Sequence, residues 1–176
     1  ADASSKVGAN NKWGFFPSAS VAWVLTEEEF MEGVSWVRNL KIRSGYGLSG
    51  NQDAIDSYNS LRLMKPNGVV SVNGAPTVTL GTIRNANPDL KWETTAQWDF
   101  GIDMAFFNRR LRVTLDIYNK ETSDLLRERN LALSSGYDRM WVNDGKIRNR
   151  GFEVTIDGVM VDKKDWSLNG TFIFSM

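Results

Sequence analysis

The sequence predicts an all-β fold, an antiparallel up-and-down meander of about six strands. Three observations support this prediction. Apolar and polar side chains alternate at every second position in several segments, which is the period of a strand with two different faces. Neighbouring segments pair as hairpins that collect the apolar side chains on one face. The longest uninterrupted apolar run covers only the five residues 21–25, whereas a membrane-spanning helix needs roughly 18.

The clearest hairpin lies between residues 92 and 127 and folds at Asn108–Arg109. Its apolar face pairs Phe106 with Leu111, Met104 with Val113, Ile102 with Leu115 and Phe100 with Ile117. The opposite face is charged and includes Asp99, Asp103, Arg112 and Asp116. A slip of one residue would move the apolar side chains of one strand to the charged face, so the pattern excludes that slip.

This hairpin is longer than the strands of about 5 or 6 residues that are common in soluble proteins. From Trp98 to Phe106 the alternation continues for eight steps of roughly 3.3 Å, or about 26 Å. At a tilt of about 45° the strand rises ~19 Å, which approaches the height of the apolar band of an outer-membrane barrel. We therefore expect the apolar face to contact lipid and the charged face to line an interior.

Two further strands are predicted before this hairpin, at about 18–24 and about 40–48. Between them, Thr26 followed by Glu29 forms a capping box that predicts a helical turn, with Gly33 as its end. The chain would thus pass up and down the sheet once before it reaches the central hairpin.

The last two strands are predicted at about 148–160 and from Trp166 onward, joined by a loop at 161–165. This register pairs Met160 with Trp166, Val154 with Phe172 and Phe152 with Phe174, and it sets Gly158 against Leu168 and Ile156 against Gly170. A small residue therefore faces a large one twice. The result is a second hairpin with a single apolar face.

The connections between the six strands alternate in length. In chain order they cover residues 25–39, 49–91, 108–109, 126–146 and 161–165. The second and fourth connections are long and rich in Gly, Asn, Ser and Pro. Because outer-membrane barrels have short turns on one side of the bilayer and long loops on the other, this alternation favours a barrel wall over a soluble meander.

Composition excludes several classes of chemistry. The chain has no Cys and no His, which removes thiol nucleophiles, disulfides, Ser-His triads and nearly all zinc and haem ligation. Its 21 basic and 21 acidic residues form no long block of one sign, so no nucleic-acid partner is expected. No signal peptide precedes Ala1, which fits a cytoplasmic chain or a mature or internal piece of a longer one.

One glycine pattern resembles a cofactor motif. Gly45, Gly47 and Gly50 have the spacing of a dinucleotide-binding loop, but residues 57–88 contain no Asp or Glu to hold the ribose. The preceding strand is also half charged rather than buried. The glycines are better explained as part of a strand end and loop, and no cofactor is predicted.

The carboxylates of the central hairpin were the best candidates for acid/base chemistry. Asp99 and Asp103 lie about 13 Å apart on an extended strand, beyond the ~5–9.5 Å that separates glycosidase carboxylates. Structural charge is the better interpretation, and Asp103 lies diagonal to Arg112 in the predicted register. A pair formed across the hairpin by Asp99 and Asp116 stays open. No residue is predicted to be catalytic or to bind a metal.

Aromatic residues gather near the predicted strand ends. They are Trp13, Phe15, Phe16, Trp23, Trp36, Trp92 and Trp98. Such residues form girdles at both interfaces of a membrane barrel, and the rival interpretation is a platform for stacking on sugars. In the long connection 126–146, Tyr137 and Trp141 are the candidates for contact with a substrate.

Several short motifs follow one another in a fixed order along the chain. They are residues 11–18 (NKWGFFPS), 40–47 (LKIRSGYG), 50–52 (GNQ), 87–94 (NPDLKWET), 107–111 (FNRRL), 124–126 (DLL), 135–137 (SGY) and 149–153 (NRGFE). Together they closely resemble successive barrel segments of SusC/RagA-type TonB-dependent outer-membrane transporters. The resemblance covers nearly the whole chain.

This resemblance implies a 22-stranded barrel that is closed by an internal plug. It implies import of glycans or peptides across the outer membrane of a Gram-negative bacterium, with energy passed through TonB and a SusD-like lipoprotein that caps the barrel. The expected partners are thus membrane lipid, the lipoprotein, TonB and an oligosaccharide or peptide. Residues 1–176 would be a partial barrel without plug, TonB-contacting segment or closing C-terminal strands, and without enzymatic activity.

The principal alternative is a soluble all-β carbohydrate-binding module. In that case the apolar faces would pack into the core of a sandwich. The two interpretations differ in what covers Ile102, Leu115 and Val154, which would be sealed beneath a second sheet in a sandwich and exposed to lipid in a barrel.

Overall fold

The chain forms two units of different character. The computed structural model describes residues 1–176, with the side chain of Leu133 outside the described part. We call segments 17–48, 96–121 and 148–176 the sheet unit, and segments 1–16, 49–95 and 122–147 the loop unit. Several long strands begin in one unit and end in the other.

Twelve strands follow one another along the described residues. They are β1 Asp2–Ala3, β2 Trp13–Gly14, β3 Ser18–Val24, β4 Val37–Asn51, β5 Leu63–Val72, β6 Ala75–Arg84, β7 Glu93–Phe106, β8 Leu111–Ser123, β9 Leu126–Asn130, β10 Arg139–Asn143, β11 Lys146–Asp162 and β12 Ser167–Ser175. The helical segments are short 3₁₀ turns at Ala9–Asn11, Leu25–Glu27, Glu29–Met31 and Leu133–Ser135. None of the described helices has the length and apolar character needed to cross a membrane.

A six-stranded sheet confirms the predicted meander. Its strands lie in the order β12-β11-β8-β7-β4-β3, so each predicted strand is hydrogen-bonded to the next one along the chain. Strands β4, β7, β8 and β11 have 15, 14, 13 and 17 residues. These lengths are more than twice the usual 5–6 residues of a soluble strand.

One face of the sheet unit is apolar and open. Exposed large side chains on this face include Val21, Trp23, Ile117 and Phe172. The side chains that distinguish the two interpretations, Ile102, Leu115 and Val154, are half-buried rather than sealed. Among the described residues of the sheet unit, Ala105 is the only buried hydrophobic one. The sheet therefore lacks the facing layer that a sandwich core requires.

The turn of the central hairpin lies where the sequence placed it. The amide of Arg110 donates to the carbonyl of Phe107 at 3.2 Å, and Asn108 and Arg109 between them have φ of 58° and 66°. Phe107 before them is also left-handed, with φ of 52°. Left-handed residues at the two central positions of such a turn match the right-handed twist of long hairpin strands. The hydroxyls of Thr95 and Thr122 are 2.9 Å apart, and these residues are opposite each other in the predicted register.

The predicted register of the last hairpin is wrong by two residues. The structure pairs Val154 with Phe174, Ile156 with Phe172 and Gly158 with Gly170. A bulge between Val159 and Val161 takes up an extra residue, and the turn closes through the amide of Lys163, which donates to the carbonyl of Trp166 at 3.0 Å. Because a shift of two keeps every side chain on its face, the single apolar face is confirmed even though the pairs are not.

The predicted capping box is also wrong. Thr26 lies inside the first of two consecutive 3₁₀ turns, and neither turn has a side-chain cap. Glu28 instead accepts a hydrogen bond from the indole Nε1 of Trp23 at 2.8 Å. The turns are followed by Gly33, whose φ of +96° favours glycine.

Both long connections contain strands that the sequence argument missed. Within 49–91, β5 and β6 form a hairpin around the tight turn Asn73–Gly74, with φ of 53° and 83°. Within 126–146, β9 and β10 form a shorter antiparallel pair, which includes Trp141 opposite Glu128. The predicted count of about six strands therefore covers the large sheet and leaves out these four strands.

The loop unit has a small core of its own. Its buried side chains are Val7, Ile55, Leu90 and Trp92, with Phe16, Leu126 and Trp141 packed against them. The rings of Phe16 and Trp92 meet edge to face at 5.6 Å. These two aromatics belong to a protein core, so their assignment to a lipid-facing girdle is wrong.

Candidate functional site

Three charged residues meet on the polar face of the sheet unit. Arg43 on β4 donates from Nε to Asp103 on β7 at 3.2 Å and from Nη2 to Asp116 on β8 at 2.5 Å. The three side chains are 28–33 % exposed. Arg43 therefore ties three adjacent strands together on the face opposite the apolar one. We call Arg43, Asp103 and Asp116 the arginine bridge.

Gly101 makes room for this bridge. It is buried, and a Cβ at this position would lie 2.7 Å from both Nη2 of Arg43 and Oδ1 of Asp116. Real Cβ atoms essentially never come so close to other heavy atoms. The guanidinium can thus reach both carboxylates only because β7 has no side chain at position 101.

The bridge gives the carboxylates a structural role. Asp103 and Asp116 both accept hydrogen bonds from the same guanidinium, so both carboxylates help to hold β4 to β7 and β8. Asp99, the other member of the open acid/base hypothesis, has its carboxylate against the backbone of Gly45, where a Cβ would be 3.0 Å away. Among the described residues, no three acidic side chains are close enough together to hold a metal ion.

The dinucleotide-like glycines all lie within β4 rather than in a phosphate-binding turn. Gly45 accommodates Asp99, and Gly50 accommodates the ring of Phe16, because a Cβ at position 50 would collide with Cζ, Cε2 and Cε1 of that ring. Packing against neighbouring side chains therefore explains these two glycines. The expectation that the glycines form a strand end and loop is wrong, because β4 continues to Asn51.

Tyr137 lines a cavity in the loop unit. The cavity has a volume of about 510 Å³, and its other polar lining includes Lys65, Asn67, Thr82 and Asp138. The tyrosine ring is half-buried, and the guanidinium carbon of Arg62 lies 5.8 Å from its centroid. A tyrosine in such a cavity can contact a ligand with both its ring and its hydroxyl.

Trp141, the other predicted substrate contact, lies in a different environment. Its side chain packs against the loop-unit core, and its carbonyl accepts from Nδ2 of Asn87 at 2.7 Å. The indole Nε1 is buried with no hydrogen-bond partner among the described residues. Trp141 does not line the cavity beside Tyr137, so the structure does not bring the two residues into one site.

A charged cluster on the β9–β10 hairpin was not predicted. Asp144 accepts from Arg129 at 2.8 Å and also from Arg127, while Glu128 accepts from Arg139 at 3.0 Å. The hydrogen bond from Arg129, followed by that from Arg127, holds the pKa of Asp144 below its usual range. Because Arg127, Glu128 and Arg129 are all charged, the alternation of apolar and polar residues gives no signal of a strand here.

Aromatic side chains gather where short connections join the strands of the sheet unit. Trp36 stacks on Phe106 with centroids 5.7 Å apart, and Trp23 meets Phe30 edge to face at 6.4 Å. At the β11–β12 turn, the Lys163 ammonium lies 5.7 Å from the centroid of Trp166. This grouping of half-exposed aromatic and basic side chains is typical of a membrane interface.

Comparison with known proteins shows consistent similarity. The family described as TonB dependent receptor-like, beta-barrel matches residues 1–175. The chain is 38% identical to a TonB-dependent receptor of Formosa agariphila over 175 residues, which are 99% of the chain and 16% of that receptor. It is 32% identical to the TonB-dependent receptor SusC of Bacteroides thetaiotaomicron over 173 residues, which are 96% of the chain and 17% of SusC.

Solved structures give the same result. The RagAB peptide importer in its open-open state matches with a TM-score of 0.85 and 28% identity, covering 97% of this chain and 18% of that one. The closed-closed state of RagAB gives a TM-score of 0.80 and 29% identity, with 98% and 18% covered. The chain thus spans about a sixth of the length of the relatives that it matches.

Proposed function

This chain belongs to the TonB-dependent receptor-like β-barrel family, and from that premise we propose that it forms part of the barrel wall of a SusC/RagA-type importer of glycans or peptides. TonB-dependent receptor barrels are outer-membrane proteins of Gram-negative bacteria, so we place the chain there. Residues 1–176 would be a partial barrel, and the plug, the TonB-contacting segment and the closing strands would come from other parts of a longer receptor.

The two-sided sheet carries this proposal. One face exposes Val21, Trp23, Ile117 and Phe172, and the opposite face holds the arginine bridge. A soluble protein gains little from such a long open apolar face, because large exposed apolar patches promote association. In a barrel the same arrangement places the apolar side chains in lipid and the charged ones in an aqueous or plug-filled interior.

Six strands cannot enclose a channel by themselves, so transport would require the rest of the barrel. In the whole receptor we propose an oligosaccharide or peptide as the substrate, a SusD-like lipoprotein as the outer partner and TonB as the source of energy. The similar RagAB is described as a peptide importer, which supports a peptide as the substrate. We assign no enzymatic step to this segment.

For substrate contact we propose Tyr137, and we propose Trp141, the second candidate from the same hairpin region, as a residue that positions the hairpin. Tyr137 is supported by the cavity that it lines and by Arg62 near its ring. Trp141 would act through the packing that holds the hairpin, because its indole contacts the loop-unit core.

The test uses a full-length receptor that contains this segment. We expect it to fractionate with the outer membrane, to require detergent for extraction and to support uptake of a labelled oligosaccharide or peptide only when TonB is present. A water-soluble protein that binds sugar and unfolds cooperatively without detergent would instead support the carbohydrate-binding module. A Tyr137→Ala receptor should fractionate normally and show weaker uptake at limiting substrate concentration.

A further inference from the structure

Two arginines lie on the apolar face of the sheet rather than on its polar face. On β11, Arg148 and Arg150 continue the every-second-residue series of Phe152, Val154 and Ile156. Both arginines are exposed, and neither belongs to the arginine bridge. A charged residue on a lipid-facing strand is strongly destabilising near the middle of a bilayer and much less so near its surface. The depth of Arg148 and Arg150 in the bilayer therefore decides whether this face can lie in lipid.

Their position places them at the edge of the apolar band. Arg150 is ten residues from Met160, near the β11–β12 turn that carries Lys163 and Trp166. Ten steps of roughly 3.3 Å at a tilt of about 45° give a height of ~23 Å, close to the ~25 Å band of an outer-membrane barrel. If the turn lies at one membrane surface, the two arginines lie at the level of the lipid headgroups on the other.

The surroundings of these arginines form a shallow cavity of about 580 Å³. Its apolar lining comes from Trp98 on β7, Ile117 on β8 and Phe152 on β11, and the two arginines lie beside this lining. Trp98 and Ile117 are 42% and 49% exposed, so they offer apolar surface that protein atoms do not cover. The site thus combines cationic groups with an open apolar floor.

The arginines retain capacity to bind an anion. Nε of Arg148 donates to the neutral side-chain oxygen of Asn119 at 2.7 Å, and this bond leaves its other donors available. Arg150 has no ion pair or side-chain hydrogen bond among the described residues. Glu121 lies further along the same face of β8, and it already interacts with other groups of the protein.

We propose that Arg148, Arg150, Trp98, Ile117 and Phe152 bind a phospholipid with a net negative charge, in the leaflet on the side away from the β11–β12 turn. The two guanidinium groups would hold the lipid phosphate, because their forked donors match phosphate oxygens. Trp98, Ile117 and Phe152 would contact the acyl chains below it. This inference rests on the proposed membrane location, and it adds a specific lipid contact that the barrel function does not require.

The experiment measures lipid that a purified full-length receptor retains. The receptor is equilibrated in mixed micelles that contain phosphatidylglycerol or phosphatidylcholine with the same acyl chains, and bound lipid is counted by native mass spectrometry. We expect preferential retention of phosphatidylglycerol. The Arg148→Gln/Arg150→Gln receptor should bind it roughly 25-fold more weakly, since each arginine near an anionic lipid surface contributes about fivefold.

The matched control is Arg110→Gln/Arg112→Gln. These residues are also two apart and exposed, but they lie at the hairpin turn and on the polar face of β8. The control should bind phosphatidylglycerol as the unmodified receptor does. Equal retention of both lipids, an unchanged affinity in the Arg148/Arg150 variant, or displacement of the lipid by an equal concentration of inorganic phosphate would overturn the lipid site.

Fractionation separates this proposal from the one on which it depends. Both variants are expected to fractionate with the outer membrane and to be extracted only by detergent. Normal fractionation together with an unchanged lipid affinity would refute the lipid site alone. Failure of the unmodified receptor to enter the membrane would refute the proposed function and this inference with it.

Discussion

Replacement of Gly101 by alanine should disrupt the arginine bridge without removing any of its members. The new Cβ would lie 2.7 Å from Nη2 of Arg43 and from Oδ1 of Asp116, so the guanidinium must move away from both carboxylates. Each ion pair is about one-third exposed and contributes about 0.5–1 kcal/mol. Loss of both pairs costs about 1–2 kcal/mol, and alanine in a strand recovers about 0.5–1 kcal/mol relative to glycine.

A double-mutant cycle isolates the steric cause. In an Arg43→Met background the bridge is already absent, and Gly101→Ala should then be neutral or slightly stabilising. The coupling between the two substitutions should be about 1–2 kcal/mol, well above the ~0.3–0.5 kcal/mol error of additivity. The measurement is the free energy of barrel unfolding in guanidinium chloride for the full-length receptor in detergent, followed by tryptophan fluorescence.

Gly158 provides the control for this cycle. It lies on β11 of the same sheet, and a Cβ there would meet nothing within 4 Å. Gly158→Ala should therefore leave stability unchanged or raise it by up to about 1 kcal/mol, with or without Arg43. Additive effects of Gly101→Ala and Arg43→Met would refute the argument that Gly101 exists to accommodate the guanidinium.

Three further predictions concern the loop unit. Gly74→Val places a β-branched residue at φ +83° and should destabilise the β5–β6 hairpin by about 1 kcal/mol or more. The measurement is the rate of amide exchange in residues 63–84, which should rise. An unchanged rate would contradict the turn assignment. Asp144→Asn should speed exchange in β9 and β10 at neutral pH. Folding lowers the pKa of Asp144, so its contribution to stability is present above the unfolded pKa and is lost as pH falls through the folded pKa. The exchange rates of variant and parent should therefore become equal in acid. A difference in exchange rate that does not change with pH would contradict this prediction. Trp92→Ala removes the largest side chain of the small core and should cost about 3–5 kcal/mol, whereas Trp13→Ala, at an exposed site, should cost little; equal losses in thermal unfolding would contradict the core.

Alternation alone was enough to predict the six-stranded sheet. Over the nine residues from Trp98 to Phe106 the period of two is unbroken. A slip of one residue would move the apolar side chains of this strand to the polar face of the sheet. The same argument cannot detect a slip of two, which is why the β11–β12 register was wrong while its faces were right. The bulge near Met160 has no signal in the alternation.

The length of the two long connections does not reveal that each of them contains a pair of strands. Asn73–Gly74 is a strong hairpin signal, because Val70 and Val72 precede it at every second position and Val78 follows it. Trp92 was assigned to a membrane girdle because sequence alone does not tell which aromatic residues meet in three dimensions. Its burial depends on Leu90, Val7 and Ile55, which come from distant parts of the chain.

The arginine bridge also depended on information beyond the hairpin. The sequence placed Asp103 diagonal to Arg112, yet its ion pair is with Arg43, more than fifty residues away. The alignment of β4 against β7 decides this partner, and the alternation of side chains does not define the register between two strands that are so far apart in sequence. Gly101 is a small residue on a charged face, and this feature of the sequence is consistent with the long side chain of Arg43 crossing β7 at that position.

The claim that the apolar face of the sheet contacts lipid is tested most directly by site-directed spin labelling. Residues 1–176 contain no Cys, so single cysteines can be placed at Ile117, Val154 and Phe172 on the apolar face and at Thr114 and Thr155 on the polar face of a full-length receptor without other cysteines. In lipid vesicles, dissolved oxygen should increase the relaxation rate of the spin labels at the three apolar sites, whereas a water-soluble nickel chelate should have little effect on them. Labels at the apolar sites that neither reagent reaches, as beneath a second protein layer, would contradict the account.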